Sequence, residues 1–392
     1  MVNNVELSEI ALLLNGDRSS NYPSDADFIS YGVPFVNTGH LSDGKIDYSR
    51  VDYISKAKAN SLSGAKIVAE DILLCLRGTL GKYAFVEKDG GAPASSLVVI
   101  RANKDKILPR FLYYVVSSNI FQHQILIENN GSSQPNLSAK SVMGFRVPFP
   151  TKKEQQAVSN VLSDIDALIE NLEKLISKKR AIKQGAMQEL LTGRRRLPGY
   201  EATTWTEYRL DQICKLINGR AYAQHELLGR GKYQVLRLGN LFTNGHWYYS
   251  NLELPEKQYC VDGDLIYAWS ATFGPRIWRG KKSIFHYHIW KLELSENISK
   301  EFLYHYLSYD VHTLMTELQG GTMAHLTKGT MEKRQLFIPS YNEQKAIADI
   351  LSDMDMEIAG SEEKLAKYKM IKHGIMSELL TGHIRLIDKE DM

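Results

Sequence analysis

Few side chains in this sequence are spaced for catalysis. Gly78-Thr-Leu-Gly81-Lys82 has the glycines and the lysine of a phosphate cradle. A P-loop, however, needs a longer gap between its glycines and a Ser or Thr after the lysine. Glu362-Glu363-Lys364 spells the Glu-x-Lys pair that a nuclease sets around a metal, but it falls inside a long helical pattern and reads as a solvated helix face. His286-x-His288 puts two imidazoles on one strand face; with no third ligand nearby, packing across strands accounts for it better than a metal. No Ser/His/Asp or Cys/His set stands out. Cys75, Cys214 and Cys260 lie far apart, which fits neither a disulfide framework nor a zinc cluster and suits a reducing compartment. The expectation is a chain with no catalytic residue, no metal and no cofactor of its own.

The elements that carry these residues are set by an internal repeat. Residues 150–197, PTKKEQQAVSNVLSDIDALIENLEKLISKKRAIKQGAMQELLTGRRRL, align without gaps on 339–386, with roughly half the positions identical. Both copies open on a capping-box pattern, Thr151-x-x-Glu154 and Ser340-x-x-Glu343, in which the Glu would reach back to the cap. Both end on Leu-Leu-Thr followed by Gly193 or Gly382, a left-handed helix stop. Each copy therefore predicts one long helix, roughly 60 Å at about 1.5 Å per residue. The first has a coiled-coil seam at Val158, Val161, Ile165, Leu168, Leu172, Leu175, Lys179, Ile182 and Ala186. The second is looser, at Ile347, Ile350, Met354, Ile358, Leu365, Tyr368, Ile371 and Ile375. A long amphipathic helix cannot bury its own stripe, so the two are expected to pair with each other. Residues 151–197 hold ten basic and six acidic side chains (net +4), and 339–392 hold seven and eleven (net −4), which suits that pairing.

The rest of the composition is ordinary. At 392 residues, 43% hydrophobic and 24% charged, the chain can build two to four globular units. No apolar run reaches the length of a membrane span. The opening MVNNVELSEI shows no basic stretch followed by an apolar one, and a cytoplasmic location is expected. The net charge of +3 is small for a protein that binds nucleic acid by bulk charge alone.

The segments before each helix also match, more faintly. Leu7-Ser-Glu-Ile10 and Leu14-Asn15-Gly16 correspond to Leu210-Asp-Gln-Ile213 and Ile217-Asn218-Gly219. Val36–Leu41 corresponds to Leu236–Leu241, Asp71 to Asp264, and Gly131–Ser138 to Gly320–Thr327. Short β-rich runs between Gly, Asp and Asn make each segment a compact α/β (α+β) domain of about 140 residues. The expected order is a globular domain at 1–150, a helix at 151–197, a second domain at 198–338, and a helix with tail at 339–392. Two similar domains on two paired helices make a pseudo-twofold object, which suits a duplex with two half-sites. Because the domains have diverged, the half-sites would differ. The helices, comparable in length to about 18 base pairs at about 3.4 Å each, would measure the gap between them.

On these features the sequence resembles the specificity subunits of type I restriction–modification systems. The resemblance rests on the twice-occurring EQ-(QK)-A-x-x-x-(VI)-L-S-D-x-D stretch, the K-x-G-x-M-x-E-L-L-T-G helix ends and the tandem variable domains, and it covers nearly the whole chain. It implies two target-recognition domains, about 3–150 and 205–338, each reading one half of a split DNA target. The repeated helices would form an antiparallel coiled-coil spacer. Two methyltransferase subunits would dock to give an adenine-N6 methyltransferase, and restriction subunits would add an ATP-driven nuclease. S-adenosylmethionine, ATP and Mg would then sit on the partners. Consistent with this, the sequence has neither an Asn/Asp-Pro-Pro-aromatic loop nor a Gly-rich turn for S-adenosylmethionine. The first domain lacks an aromatic equivalent of Trp205 ahead of its opening strand.

Base edges are read by Arg, Asn, Gln, Lys and Ser/Thr, and phosphates by Lys, Arg and backbone N–H groups. Gly-bounded loops offer Asn15, Arg18, Thr38, His40, Arg77, Thr79, Lys82, Ser132, Ser133, Gln134, Asn136 and Lys140 in the first domain. In the second they offer Arg220, Arg237, Asn240, Trp269, Ser270, Thr272, Arg276, Thr322, His325 and Lys328. The loop at 131–136 stands out, since its composition has no packing purpose. The alternative is a coiled-coil adaptor that joins proteins without reading DNA.

Overall fold

The computed structural model describes residues 2–17, 20–129, 136–242, 245–270, 272–318 and 326–387. Two long helices dominate it, α1 (Lys152–Leu190) and α2 (Tyr341–Thr381). Gly193 and Gly382 end them with φ of 68° and 74°, as the left-handed stop requires. The chain divides into two compact units, 1–173 with 364–392, and 174–363. Each unit holds one globular domain, the start of one long helix and the end of the other.

Unit one is built on an antiparallel sheet in the order Ala11–Asn15, Leu97–Ala102, Ile72–Cys75, Tyr83–Phe85. Unit two repeats it as Cys214–Asn218, Ile289–Leu294, Leu265–Ser270, Thr272–Ile277. The central runs ILLC and LVVI are buried on both faces, which is why they read as continuous apolar stretches. A two-stranded ribbon closes each domain, Asn4–Glu6 against Arg146–Pro148 and Thr206–Arg209 against Gln335–Ile338. In both ribbons the second strand leads straight into a long helix.

The second sheets share three strands and differ in the fourth. Val33–Val36 pairs parallel with Ala92–Pro93 and antiparallel with Asp52–Ile54. Tyr233–Leu236 does the same with Ser283–Phe285 and Tyr248–Ser250. Unit one adds Phe28–Ile29 beside Asp52–Ile54, whereas unit two adds Tyr259–Cys260 beside Ser283–Phe285.

The repeated Asp71 and Asp264 do the same local work. Each accepts the backbone N–H three residues earlier, at Val68 and Val261 (both 2.9 Å), and so starts its strand. The missing aromatic also finds its counterpart. Trp205 packs over Gly193, and in unit one Val2 packs over Gly382.

Within each unit the start of one long helix lies against the end of the other, so the pairing is antiparallel. In unit one, Val158 and Leu162 share a core with Met376, Leu379 and Leu380. In unit two, Met187, Leu190 and Leu191 share one with Ile347, Ala348 and Leu351. The expected seam needs one correction. Leu168, Leu175 and Ile182 are 37%, 43% and 53% exposed. The buried line is Val158, Leu162, Leu172, Ile176, Met187 and Leu190, with Ile165 and Ile169 half-buried along it. The steps run 4, 3, 4, 3 rather than 3, 4, 3, 4, because Leu or Ile stands on both sides of the stripe and periodicity alone does not choose between them. The second helix keeps the same line, with Ile347, Leu351 and Ile358 buried and Met354, Leu365 and Tyr368 half-buried; Leu351 takes the deep place expected for Ile350.

The charges pair in a repeated pattern as well. Lys372 meets Asp166 in unit one, and Lys183 meets Asp355 in unit two, both at 2.5 Å. Lys369 meets Glu173 (2.7 Å), and Arg180 meets Glu362 (2.5 Å). The favourable charge is therefore not one positive helix on one negative helix. Each helix is acidic toward its start and basic toward its end, and antiparallel packing matches the two.

Glu154 and Glu343 also depart from expectation. Thr151 Oγ1 does accept the Glu154 N–H, at 3.4 Å. The Glu154 carboxylate, almost fully buried, is bound by Arg385 from beyond the end of α2 (2.7 Å to Nη2). Glu343, with no exposure, is bound by Arg196 from beyond the end of α1 (2.9 and 2.8 Å) and by Thr203. The neighbouring glutamines tie each helix to its own domain. Gln155 accepts from Leu108 N–H, and Gln344 from Ser299 N–H (2.8 Å each).

Removing one partner of a buried ion pair leaves the other charge uncompensated. Arg196→Ala and Arg385→Ala should each lower unfolding free energy by about 3 kcal/mol, the lower end of the usual cost because the arginines are partly open to water. Leu168→Ser should change it by less than about 0.5 kcal/mol. Urea unfolding midpoints check both.

His305, packed beside the Lys183–Asp355 pair, gives a pH dependence. Burial first, then Lys183, pushes its pKa from 6.5 down to about 4. The unfolded chain takes up that proton first, so the contribution is complete above about pH 6.5 and is lost as pH falls toward about 4. His305→Gln should flatten the stability–pH curve in that window, measured by thermal melts at stepped pH.

Candidate nucleic-acid interface

In unit one several expected contacts come together. Thr38 Oγ1 lies 3.1 Å from both Cys75 Sγ and Ser96 Oγ. Lys82 Nζ donates to Thr38 O (3.5 Å), and the Cys75 thiol donates to Arg77 O (3.0 Å). Arg77 forms an isolated bridge with Asn136. Thr38, Arg77, Lys82 and Asn136 thus share one corner of the domain, with Arg77, Thr79 and Asn136 exposed. Asn15 is exposed at the end of its strand, and its carbonyl accepts from Ala65 N–H (2.9 Å). Lys140 is exposed on the short helix Ala139–Met143. Arg18, Ser132, Ser133 and Gln134 lie outside the described residues.

In unit two the corresponding corner is aromatic and cationic. Trp269 Nε1 donates to Tyr287 O (2.8 Å), and its ring stacks on Trp290 (5.5 Å, 17°). Arg220 bridges to His286, stands over Tyr222 (5.1 Å) and is bound by Glu226 through two contacts. Arg237 is exposed and stands over Tyr248 (5.2 Å). Arg276 is exposed over Phe242 (4.9 Å). Lys328 faces Glu332 at 3.4 Å. Thr322, His325 and the Thr272 side chain lie outside the described residues.

Three expected contacts are corrected. His40 and Asn240 are buried and close equivalent turns: His40 Nδ1 accepts from Asn37 N–H (3.1 Å), and Asn240 Oδ1 from Arg237 N–H (3.0 Å). Their repetition in sequence marks a shared turn, not a shared reading residue. Ser270 is buried too.

Sequence spacing did not single out the segment that lies at the centre of each corner, 94–96 in unit one and 286–288 in unit two. In the sequence, His286-x-His288 reads as packing across strands rather than as a metal pair. The two rings pack at 4.9 Å, and among the described residues no group of three metal-ligand side chains forms. Burial, followed by His288 and Arg237, pushes the His286 pKa down to about 4, so the ring is neutral at pH 7.

Backbone hydrogen bonds around this segment recur in both units. Ala94 N–H donates to Val36 O (2.8 Å), as His286 N–H does to Leu236 O (2.9 Å). Leu76 N–H donates to Ser96 O (3.0 Å), as Trp269 N–H does to His288 O (3.1 Å). Gly16 and Gly219 allow the crossing. A Cβ on Gly16 would come within 2.7 Å of Pro93 O and closer still to Ala94 O, and one on Gly219 within 2.6 Å of the His286 carbonyl carbon. The Asn-Gly dipeptide shared by both halves carried the signal for this crossing.

Gly16→Ala and Gly219→Ala should each cost about 2 kcal/mol or more, since the obstacle is backbone. Gly185→Ala, on α1 with nothing within 4 Å, should be neutral or stabilising by up to about 1 kcal/mol. Melting temperatures of the three variants test the contrast.

Comparison with known proteins agrees with the doubled architecture. The chain is 26% identical to a putative type I restriction enzyme MjaX specificity subunit of Methanocaldococcus jannaschii, over 97% of this chain and 93% of that one. It is 24% identical to the MjaVIII specificity subunit of the same organism, over 92% of each. Among solved structures, it superposes on a type I restriction–modification S subunit from M. genitalium with a TM-score of 0.61 at 16% identity, covering 97% of this chain and 96% of that one. A structure solved for complex assembly of a type I R-M system gives 0.60 at 19% identity, covering 96% and 97%. The family model for the type I restriction modification DNA specificity domain matches twice, at residues 2–179 and 202–369, and the chain belongs to that family.

Proposed function

We propose that this chain is the specificity subunit of a type I restriction–modification assembly, in which each unit reads one half of an asymmetric, two-part DNA target. The observation that carries the reading is a single backbone plan built twice, with different side chains at the corner where the loops converge. One frame with two sets of side chains suits a target of two unlike halves. The chain holds the protein–DNA recognition and leaves the chemistry to its partners: two methyltransferase subunits that modify adenine N6, joined by restriction subunits in the nuclease form. S-adenosylmethionine, ATP and Mg belong to those partners. The cytoplasm, where such DNA lies, is the matching location.

The two paired helices act as the spacer in this reading. They run continuously for 39 and 41 residues, and each passes from one unit into the other. Their reciprocal ion pairs resist sliding, because a shift of register would separate several pairs and two buried carboxylates at once.

The test is to map N6-methyladenine by sequencing in cells that express the chain with its methylating partner, and in cells lacking the chain. A split, asymmetric motif with a fixed gap is expected, lost on deletion. Methylation unchanged by the deletion overturns the reading.

A further inference from the structure

The two units differ in side chains where their backbones agree. On the shared crossing, Ala94-Ser95-Ser96 of unit one becomes His286-Tyr287-His288 in unit two, and Leu76 becomes Trp269. Three small side chains are replaced by three rings while the shared backbone hydrogen bonds to Val36 or Leu236 and from Leu76 or Trp269 are kept. The middle ring adds little to the core: Tyr287 is 39% exposed, between the half-buried His286 and His288, and its hydroxyl makes no hydrogen bond among the described residues.

The turn is nonetheless tied down by hydrogen bonds. The Trp269 indole N–H holds the Tyr287 carbonyl, and Tyr287 N–H donates to Arg220 O (3.0 Å). Tyr287 clusters with the two imidazoles, its ring centre 4.3 Å from His286 and 4.0 Å from His288, which are 4.9 Å from each other. Arg237, exposed on the adjoining loop, is close enough to bear on His286. An exposed ring for stacking and a guanidinium for a phosphate are what a nucleotide needs. Unit one offers hydroxyls at the same place, Ser95 and Ser96, with Thr38 and Lys82 beside them.

We infer that the turn His286–His288, with Arg237 beside it, is where unit two meets the bases of its half-site, and that Ala94–Ser96 is the matching place in unit one, so that the residues at 95 and 287 set which bases each unit accepts. This rests on the DNA-reading function proposed above.

The experiment is selection from randomised duplexes by the full chain copurified with its methylating subunit. It compares wild type with Tyr287→Ser and with a turn swap, H286A/Y287S/H288S. Both variants should lose preference by roughly tenfold at one or more positions in one part of the motif, with the other part and the gap unchanged. If the swap does not fold, Tyr287→Ser decides the matter, since its exposed ring can be removed without opening the core. A variant that melts like wild type yet keeps every preference, or loses both parts together, overturns the inference. A wild-type chain that enriches no motif defeats the DNA-reading function itself, a different failure.

Discussion

A carboxylate shut away from water must be given a cation, and here Glu154 and Glu343 each take one from beyond the far end of the other long helix. Most of the architecture follows from that exchange. Each arginine can reach its partner only if the helices lie antiparallel and in one register. Each helix start must then sit at the other's end, beside the two-stranded ribbon that opens a domain. The glutamine beside each glutamate fastens that end to its own domain, so a local ion pair also positions the globular part.

Between the clamped ends, packing and charge say the same thing. A heptad stripe on one helix is stable only against a matching stripe, and the repeat guarantees one. Exposed ion pairs are individually worth little. Here they recur at equivalent positions in both units, each helix carrying acid near its start and base near its end, so they specify orientation more than they add stability. The domains are then free to diverge, because neither the clamp nor the seam uses the residues of the corner at Ala94–Ser96 or His286–His288.

The repeat, the helices, the glycine stops and the shared Asn-Gly turn were all legible in the sequence, because each is a local pattern seen twice. The seam register was not, for a first helix with Leu168, Leu175 and Ile182 beside Ile169, Ile176 and Lys183 satisfies either spacing. Aligning it on Ile358 and Leu365 of the second copy would have chosen correctly. Glu154 and Glu343 read as capping residues because their true partners are 231 and 147 positions away. His40 and Asn240 misled for the opposite reason: a residue that closes a tight turn looks, in sequence, like any polar loop residue. The equivalence of Ala94–Ser96 and His286–His288 was hidden because the two segments share no letters, only backbone hydrogen bonds.

Cysteine labelling measures the helix register directly. The native thiols are buried, and burial pushes the pKa of Cys214 and Cys260 up to about 12, so background reaction is slow. Single cysteines placed at 168, 175 and 182 should react with a thiol reagent like free cysteine, while those at 162, 172 and 176 should be protected. The opposite pattern, with 168, 175 and 182 protected and 162, 172 and 176 reactive, would contradict the clamped antiparallel pairing on which the rest depends.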